Sequence, residues 1–272
     1  MLLAACLLTS LALAQDLPAS PESLSAASGF RFRAGAIPVG RVHFYRKSNL
    51  DRTNPSEIAL FLAAESRLEA LKWHAGEPEA TLVQATLDWD RFSVQRFETF
   101  AVTDTGAREK KAEIATSSDG KTLTATVGTR VFTCALERFP WHSYDFDFAS
   151  LNVALRFLVD PRGEVEFDIV DPSYGPGGPS LENKGPVVLA YRGEEEHNGL
   201  PCRRYTLDGP GLLDRGGSLW ASKGDEIFLV AFELDLPDEP GMTSGRLEWL
   251  RNETLSSAEW GEFVLRRKRE TR

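Results

Sequence analysis

The densest group of reactive side chains in this sequence is Trp141-His142-Ser143-Tyr144-Asp145-Phe146-Asp147. Strand-like alternation there would put Tyr144, Phe146 and Phe148 on one side and Asp145 and Asp147 on the other. Two carboxylates two residues apart invite a hard cation or acid–base work, but Ca²⁺ takes six to eight oxygens and no neighbouring residue supplies the remainder. The simpler expectation is that Asp147 caps a following helix while Asp145 is solvated. The four histidines, His43, His74, His142 and His197, are far apart, without H-x-H, H-E-x-x-H or paired cysteines at metal-site spacing, so structural roles are expected. There is no G-x-S-x-G, Ser-x-x-Lys or Gly-rich phosphate loop. Gly175-Pro176-Gly177-Gly178-Pro179-Ser180 is glycine-rich, but its prolines remove the amide donors a phosphate cradle needs, so a flexible loop is expected. Glu194-Glu195-Glu196 fits a charged hairpin tip. No catalytic residue, metal ligand or cofactor site is therefore expected.

Cysteine and charge bear on location and partners. Leu2 to Leu13 is uncharged and closes on Ala12-Leu13-Ala14 before Gln15-Asp16, which is the h-region and A-x-A site of a signal peptide cleaved between Ala14 and Gln15. Met1 is followed by no Lys or Arg, so the usual charged n-region is missing. The apolar run falls short of the ~20 residues a spanning helix needs, and no other run approaches that length, so no transmembrane span is expected in the mature chain. Leu3-Ala4-Ala5-Cys6 imitates a lipoprotein signal. However, Leu7-Leu8 and Leu11 to Ala14 follow where a polar tether belongs, so Cys6 reads as part of the h-region. Export to the periplasm or extracellular space leaves Cys134 and Cys202. One disulfide between them, worth about 4 kcal/mol, and two buried thiols are both compatible with the sequence. The chain carries 40 acidic against 31 basic residues, a net charge of −9, which disfavours a nucleic acid partner. Arg266-Arg267-Lys268-Arg269 is the exception and is expected to be a solvated basic tail over 266–272, with anionic lipid headgroups as the other reading.

The elements that must position these residues are mostly strands. After a Pro-, Ser- and Ala-rich lead-in over 15–28, one β-rich domain is expected over 29–265. Phe30-Arg31-Phe32-Arg33, a turn through Gly35 and Pro38-Val39-Gly40, and Arg41 to Tyr45 predict a first hairpin. Further strands are predicted at Thr81 to Leu87, Phe92 to Val102, Ala112 to Thr116, Thr122 to Val127 and Arg130 to Leu136, with Ser118-Asp119-Gly120-Lys121 a turn. A later set comprises Glu164 to Val170, Val187 to Tyr191, Arg203 to Leu207, Ser218 to Ser222, Ile227 to Leu234 and Arg246 to Leu250. Residues 57–73 read two ways. Asn54-Pro55-Ser56-Glu57 could open a helix carrying Leu60, Phe61, Ala64, Leu68 and Leu71, yet Ile58, Leu60 and Leu62 also alternate, with Arg67 to Trp73 as a returning strand. Phe148 to Leu158 predicts a helix, stopped by Asp160-Pro161-Arg162-Gly163. The fold class is mainly β: a curved antiparallel sheet or partly open β-barrel with one or two short helices.

Several of these stretches resemble a group of exported bacterial proteins, the domain of unknown function 3108. The likeness lies in Ala36-Ile37-Pro38-Val39-Gly40 between strands, Tyr144-Asp145-Phe146-Asp147-Phe148-Ala149-Ser150-Leu151 leading into a helix, Tyr191-Arg192-Gly193-Glu194-Glu195, Gly199-Leu200-Pro201-Cys202-Arg203-Arg204-Tyr205 and Leu219-Trp220-Ala221-Ser222. It covers roughly residues 29 to 250. The resemblance implies a curved antiparallel sheet, broadly similar to the half-barrels of periplasmic lipoprotein carriers, and carries no established activity. Together with the aromatic-rich strands, which also carry Phe97, Phe100, Phe132 and Phe228, it motivates a binding module holding an apolar or lipid-like ligand, with Phe30, Phe32, Phe44 and Trp220 as the candidate ligand face. The alternative is a structural component of the cell envelope that docks on an envelope protein through sheet edges or the basic tail. An enzyme assembled from distant residues is the third class.

Overall fold

A computed structural model describes residues 29–74, 80–175, 178–237 and 241–270. The expected signal peptide, its Ala14–Gln15 cleavage site and the 15–28 lead-in lie outside the described residues. The chain forms one large, curved, unclosed sheet of 15 strands. Its first half is an antiparallel meander: β1 (Arg41–Ser48), β2 (Ser56–Ala64), β3 (Arg67–His74), β4 (Ala80–Asp88), β5 (Ser93–Val102), β6 (Arg108–Thr116), β7 (Thr122–Val127) and β8 (Arg130–Ala135). A two-residue β9 (Trp141–His142) and helix α1 (Ala149–Ala154), continued by a 3₁₀ turn over Leu155–Phe157, follow. The second half is β10 (Glu164–Gly175), β11 (Gly178–His197), β12 (Leu200–Asp208), β13 (Gly217–Ser222), β14 (Leu229–Leu234) and β15 (Gly245–Thr254), before helix α2 (Ser257–Glu270).

Sequential hairpins build two wings, and the pairing of β1 with β15, from Arg41 opposite Thr254 to Ser48 opposite Arg246, joins them. β8 ends the sheet on one side; β9, parallel to β10, ends it on the other. The chain leaves β9 into the hollow between the wings before β10 begins. Every residue of α1 is consequently buried. Phe148, Leu151, Leu155 and Phe157 fill the concave side and join inward residues of both wings in one core.

The opposite face of β1 to β4 is buried as well. Val42, Phe44, Ala59, Phe61, Leu71, Trp73 and Leu82 lie beneath Trp260, Phe263 and Val264 of α2. Ser256 starts that helix with a capping box: its Oγ accepts from the Glu259 amide at 3.2 Å, and its own amide donates to Glu259 Oε2 at 2.7 Å. Strands covered on both faces read as continuous apolar runs, and Ile58 to Leu62 are all buried. This is why helix and strand were indistinguishable over 57–73; the segment is the hairpin of β2 and β3.

Four expectations are corrected. Phe30 to Arg33 is not the first strand of a hairpin: Phe30 makes a single bridge to Leu158, and the Arg31 amide donates to the Phe157 carbonyl, because the aromatic rings are drawn to the core rather than to β1. The single helix over Phe148 to Leu158 is a shorter α1 with its 3₁₀ continuation. Gly175 closes β10 and Gly178 opens β11, so the hairpin takes up most of the expected loop; 176 and 177 lie outside the described residues. The basic tail belongs to α2 through Glu270, and Arg267 lies over the Trp73 ring at 4.9 Å, since burial of Trp260 and Phe263 carries the helix past 265. Among the described residues, no helix is long and apolar enough to cross a membrane.

Candidate functional site

Two adjoining recesses run along the inner face of the first wing. The first, about 240 Å³, spans β1 to β5: Ile58, Leu60, Ala70 and Val83 form an apolar floor, Lys72, Thr81 and Thr99 its rim, and Asp145 to Asn152 the roof. The second, about 110 Å³, continues over Phe97, Ile114, Ala125 and Phe132 to β8, beneath Ser143, Pro172, Pro179 and Ser180. Val83 and Thr99, directly opposite each other on β4 and β5, belong to both floors, and Asp145 and Phe146 to both roofs.

Hydrogen bonds hold the roof in place. Asp171 accepts from Ser143 Oγ at 2.7 Å, the Asp145 amide at 3.1 Å and Lys184 Nζ at 2.9 Å, tying the segment to β10. Tyr144 Oη donates to the Leu236 carbonyl at 2.6 Å, its ring passing where a side chain on Gly245 would stand. On α1, Asn152 Nδ2 donates to Tyr45 Oη at 2.8 Å, Tyr45 Oη donates to the Leu229 carbonyl at 3.0 Å, and the Leu229 amide donates to Asn152 Oδ1 at 2.8 Å. This closed ring fastens the plug to both wings. Burial pushes the Tyr45 phenol well above its ordinary pKa, so it stays a donor.

The expected carboxylates divide. Asp145 is half-buried at the shared roof, whereas Asp147 turns inward, 2.5 Å from Lys47 Nζ and 3.9 Å from Lys72 Nζ. Asp147 does not cap α1: Phe148 is the N-cap, without a side-chain bond. Both residues are left-handed, with φ of 51° and 52°, and the double turn swings Asp147 away from the helix amides. Such conformations cost about 1–3 kcal/mol each in residues other than glycine and persist where the surroundings over-determine them. Here Phe148 is wedged between Tyr144 and Phe232, at 5.2 and 5.7 Å, and Asp147 is held by Lys47.

The expected ligand face is not one face. Phe30 and Phe32 do reach the concave core, Phe32 lying 5.2 Å from Phe157. Phe44 points the other way, edge-on to Phe263 of α2 at 5.6 Å, because alternation along β1 gives the inner position to Tyr45. Trp220 lies on the outer face of the second wing, stacked on His197 at 4.2 Å. Leu60, Ala70, Val83, Ile114 and Phe146, which line the recesses, were not part of the expected ligand face; of the wider aromatic set only Phe97 and Phe132 line them. Their alternation was visible, but not which face would be concave.

Cys134 on β8 and Cys202 on β12 are free thiols in separate apolar clusters. Burial pushes the Cys202 thiol up to about 11, leaving it a small hydrophobe. His142 is fully buried with Nδ1 2.8 Å from Ser150 Oγ, and desolvation lowers its pKa to about 3. His43 sits 3.3 Å from Glu226 in the seam between the wings; burial lowers its pKa against the pull of Glu226. Glu194 pairs with Lys223 and, at 3.3 Å, with Arg162 near the surface. Among the described residues no three His, Cys, Asp or Glu side chains gather as a metal site would require. No protein-family model matches the chain, and no curated protein matches it.

Proposed function

We propose that this is an exported binding module that holds a small, electrically neutral amphiphile between the first wing and the α1 plug. The carrying observation is the recess of about 240 Å³ with an apolar floor and three charged side chains, Lys72, Asp145 and Asp147, in its lining. Lys47, wholly buried behind the lining, pairs with Asp147, so the local charges balance at two of each sign and an added carboxylate or ammonium meets no net opposite charge. A neutral head with hydroxyl or amide groups exchanges hydrogen bonds with this rim without that cost, while its chain displaces water from Leu60 and Val83. The two recesses together fall near the lower end of the roughly 300–1,000 Å³ typical of small-molecule sites, which favours a short-chained ligand over a whole diacyl lipid. The leader-like start and the short sequence likenesses to exported proteins of the domain of unknown function 3108 type support this reading.

The test is titration of the secreted protein, its N-terminus mapped to Gln15, with a neutral fluorescent amphiphile. Saturable binding that Val83→Trp abolishes, with the melting temperature kept within a few degrees, is the expected result. Failure of every neutral amphiphile to bind, or equal binding by Val83→Trp, overturns it.

A further inference from the structure

We infer that Phe146 is a ruler that sets the length of apolar chain the site accepts. The inference rests on the binding reading above and adds its chain-length specificity. The two recesses share Val83 and Thr99 beneath and Asp145 and Phe146 above, so they are one gutter crossing the strands and divided at that point. The Phe146 ring stands edge-on to Phe97, with centroids 4.7 Å apart and planes at 73°, and Phe97 is itself part of the second floor. An aromatic edge resting on another ring across the gutter is a partition, not a wall.

The partition is firmly mounted. The Phe146 amide donates to Ser143 Oγ at 3.2 Å, and the Ala149 amide donates back to the Phe146 carbonyl at 3.0 Å. The left-handed pair Asp147 and Phe148 follows immediately, and the buried Phe148 ring anchors it. The backbone beneath the ring therefore has little freedom, and the ring itself is only half-buried. Beyond it, the second chamber offers an apolar continuation lined by Ile114, Ala125 and Phe132. A chain lying over Leu60 and Val83 ends against the Phe146 ring. Removing the ring lets the same chain run on into the second chamber, whose 110 Å³ equals about four water volumes, or about four methylenes.

The experiment is a homologous series of straight-chain primary alcohols competing with the neutral fluorophore. For wild type, affinity rises about fourfold with each methylene while the chain is being buried, then stops rising at a break-point. Phe146→Ala is expected to move that break-point outward by about four carbons, and Phe146→Leu by less. Ile114→Trp in the Phe146→Ala background is expected to return it to the wild-type position. Phe146→Leu keeps most of the apolar volume and carries the test if the alanine variant does not fold. An unchanged break-point in folded Phe146→Leu and Phe146→Ala overturns the ruler while leaving the binding reading intact. If wild type binds no member of the series, both fall together.

Discussion

The Lys47 ammonium lies 2.5 Å from the Asp147 carboxylate on the inner side of the sheet, with the Lys47 side chain wholly buried. This pair joins the central strand β1 to the sharp turn ahead of α1, so the plug is bound to the sheet by charge as well as by packing. Taking two ions out of water is expensive, and such a pair adds little net stability over an apolar replacement. Its value lies in position: an unpaired Asp147 or Lys47 in that setting is far worse than either the pair or its absence.

Lys47→Met is therefore expected to destabilise the protein by about 3–5 kcal/mol, toward the lower figure because Lys72 stands 3.9 Å from the other Asp147 oxygen. The double variant Lys47→Met/Asp147→Asn removes both charges and keeps a residue that tolerates a left-handed backbone, so it should recover at least half of that loss. Urea unfolding of the three proteins measures this. A single variant within experimental error of wild type would show that the pair is not confined by burial.

Tyr45→Phe breaks the ring that fastens α1 to both wings. It leaves the Asn152 amide and the Leu229 carbonyl short of a partner in a buried site, at a cost of about 1–3 kcal/mol. Asn152→Ala should cost more, because it orphans the buried Leu229 backbone amide and leaves a cavity where the carboxamide stood, although the Tyr45 to Leu229 carbonyl bond survives. Amide exchange at Leu229 reads the effect directly, and the protection expected in wild type from its bond to Asn152 should fall in both variants.

Acid sensitivity follows from His142. Its folded pKa of about 3 lies below its ordinary 6.5, so between these values the unfolded chain binds a proton that the native state refuses. Stability is thus greatest above pH 6.5 and falls as the pH drops from 6.5 toward 3. Between pH 6.5 and 5 this one group accounts for a loss of about 2 kcal/mol. The lowered pKa of His43 acts in the same direction. His142→Gln, which retains a hydrogen-bonding group for Ser150, should show a loss smaller by about that amount over the same interval. Denaturant midpoints of the two proteins at both pH values give the comparison, and parallel curves would mean His142 takes up its proton while folded.

Much of the local structure was legible because its cause is local. In β7 one face is more buried than the other, so Leu123 and Ala125 alternate with threonines at a period of two and the strand announces itself. The start of α2 was also written locally, in Ser256 and Glu259 with Trp260, Phe263 and Val264 at helical spacing. The basic residues of its last turn, Arg267 to Arg269, hide the apolar stripe behind a charge run that reads as a tail. Where both faces are covered the alternation vanishes, and Ile58 to Leu62 can be assigned only once α2 is seen on one side and the plug on the other.

A mainly β chain whose strands follow one another in hairpins, with a short helical interruption near Phe148, is already written in the order of residues. Pairing of neighbours and the period of the pleat depend on residues close in the chain, so they can be read from it. The pairing of β1 with β15, and with it which side of each strand is concave, emerges only when the two wings meet. That meeting turned Phe44 outward and Tyr45 inward and withdrew Asp147 from a capping role to meet Lys47, 100 residues earlier in the chain. Alternation specifies two faces, but the curvature that distinguishes them is a property of the whole sheet, and the gutter exists only on its inner side.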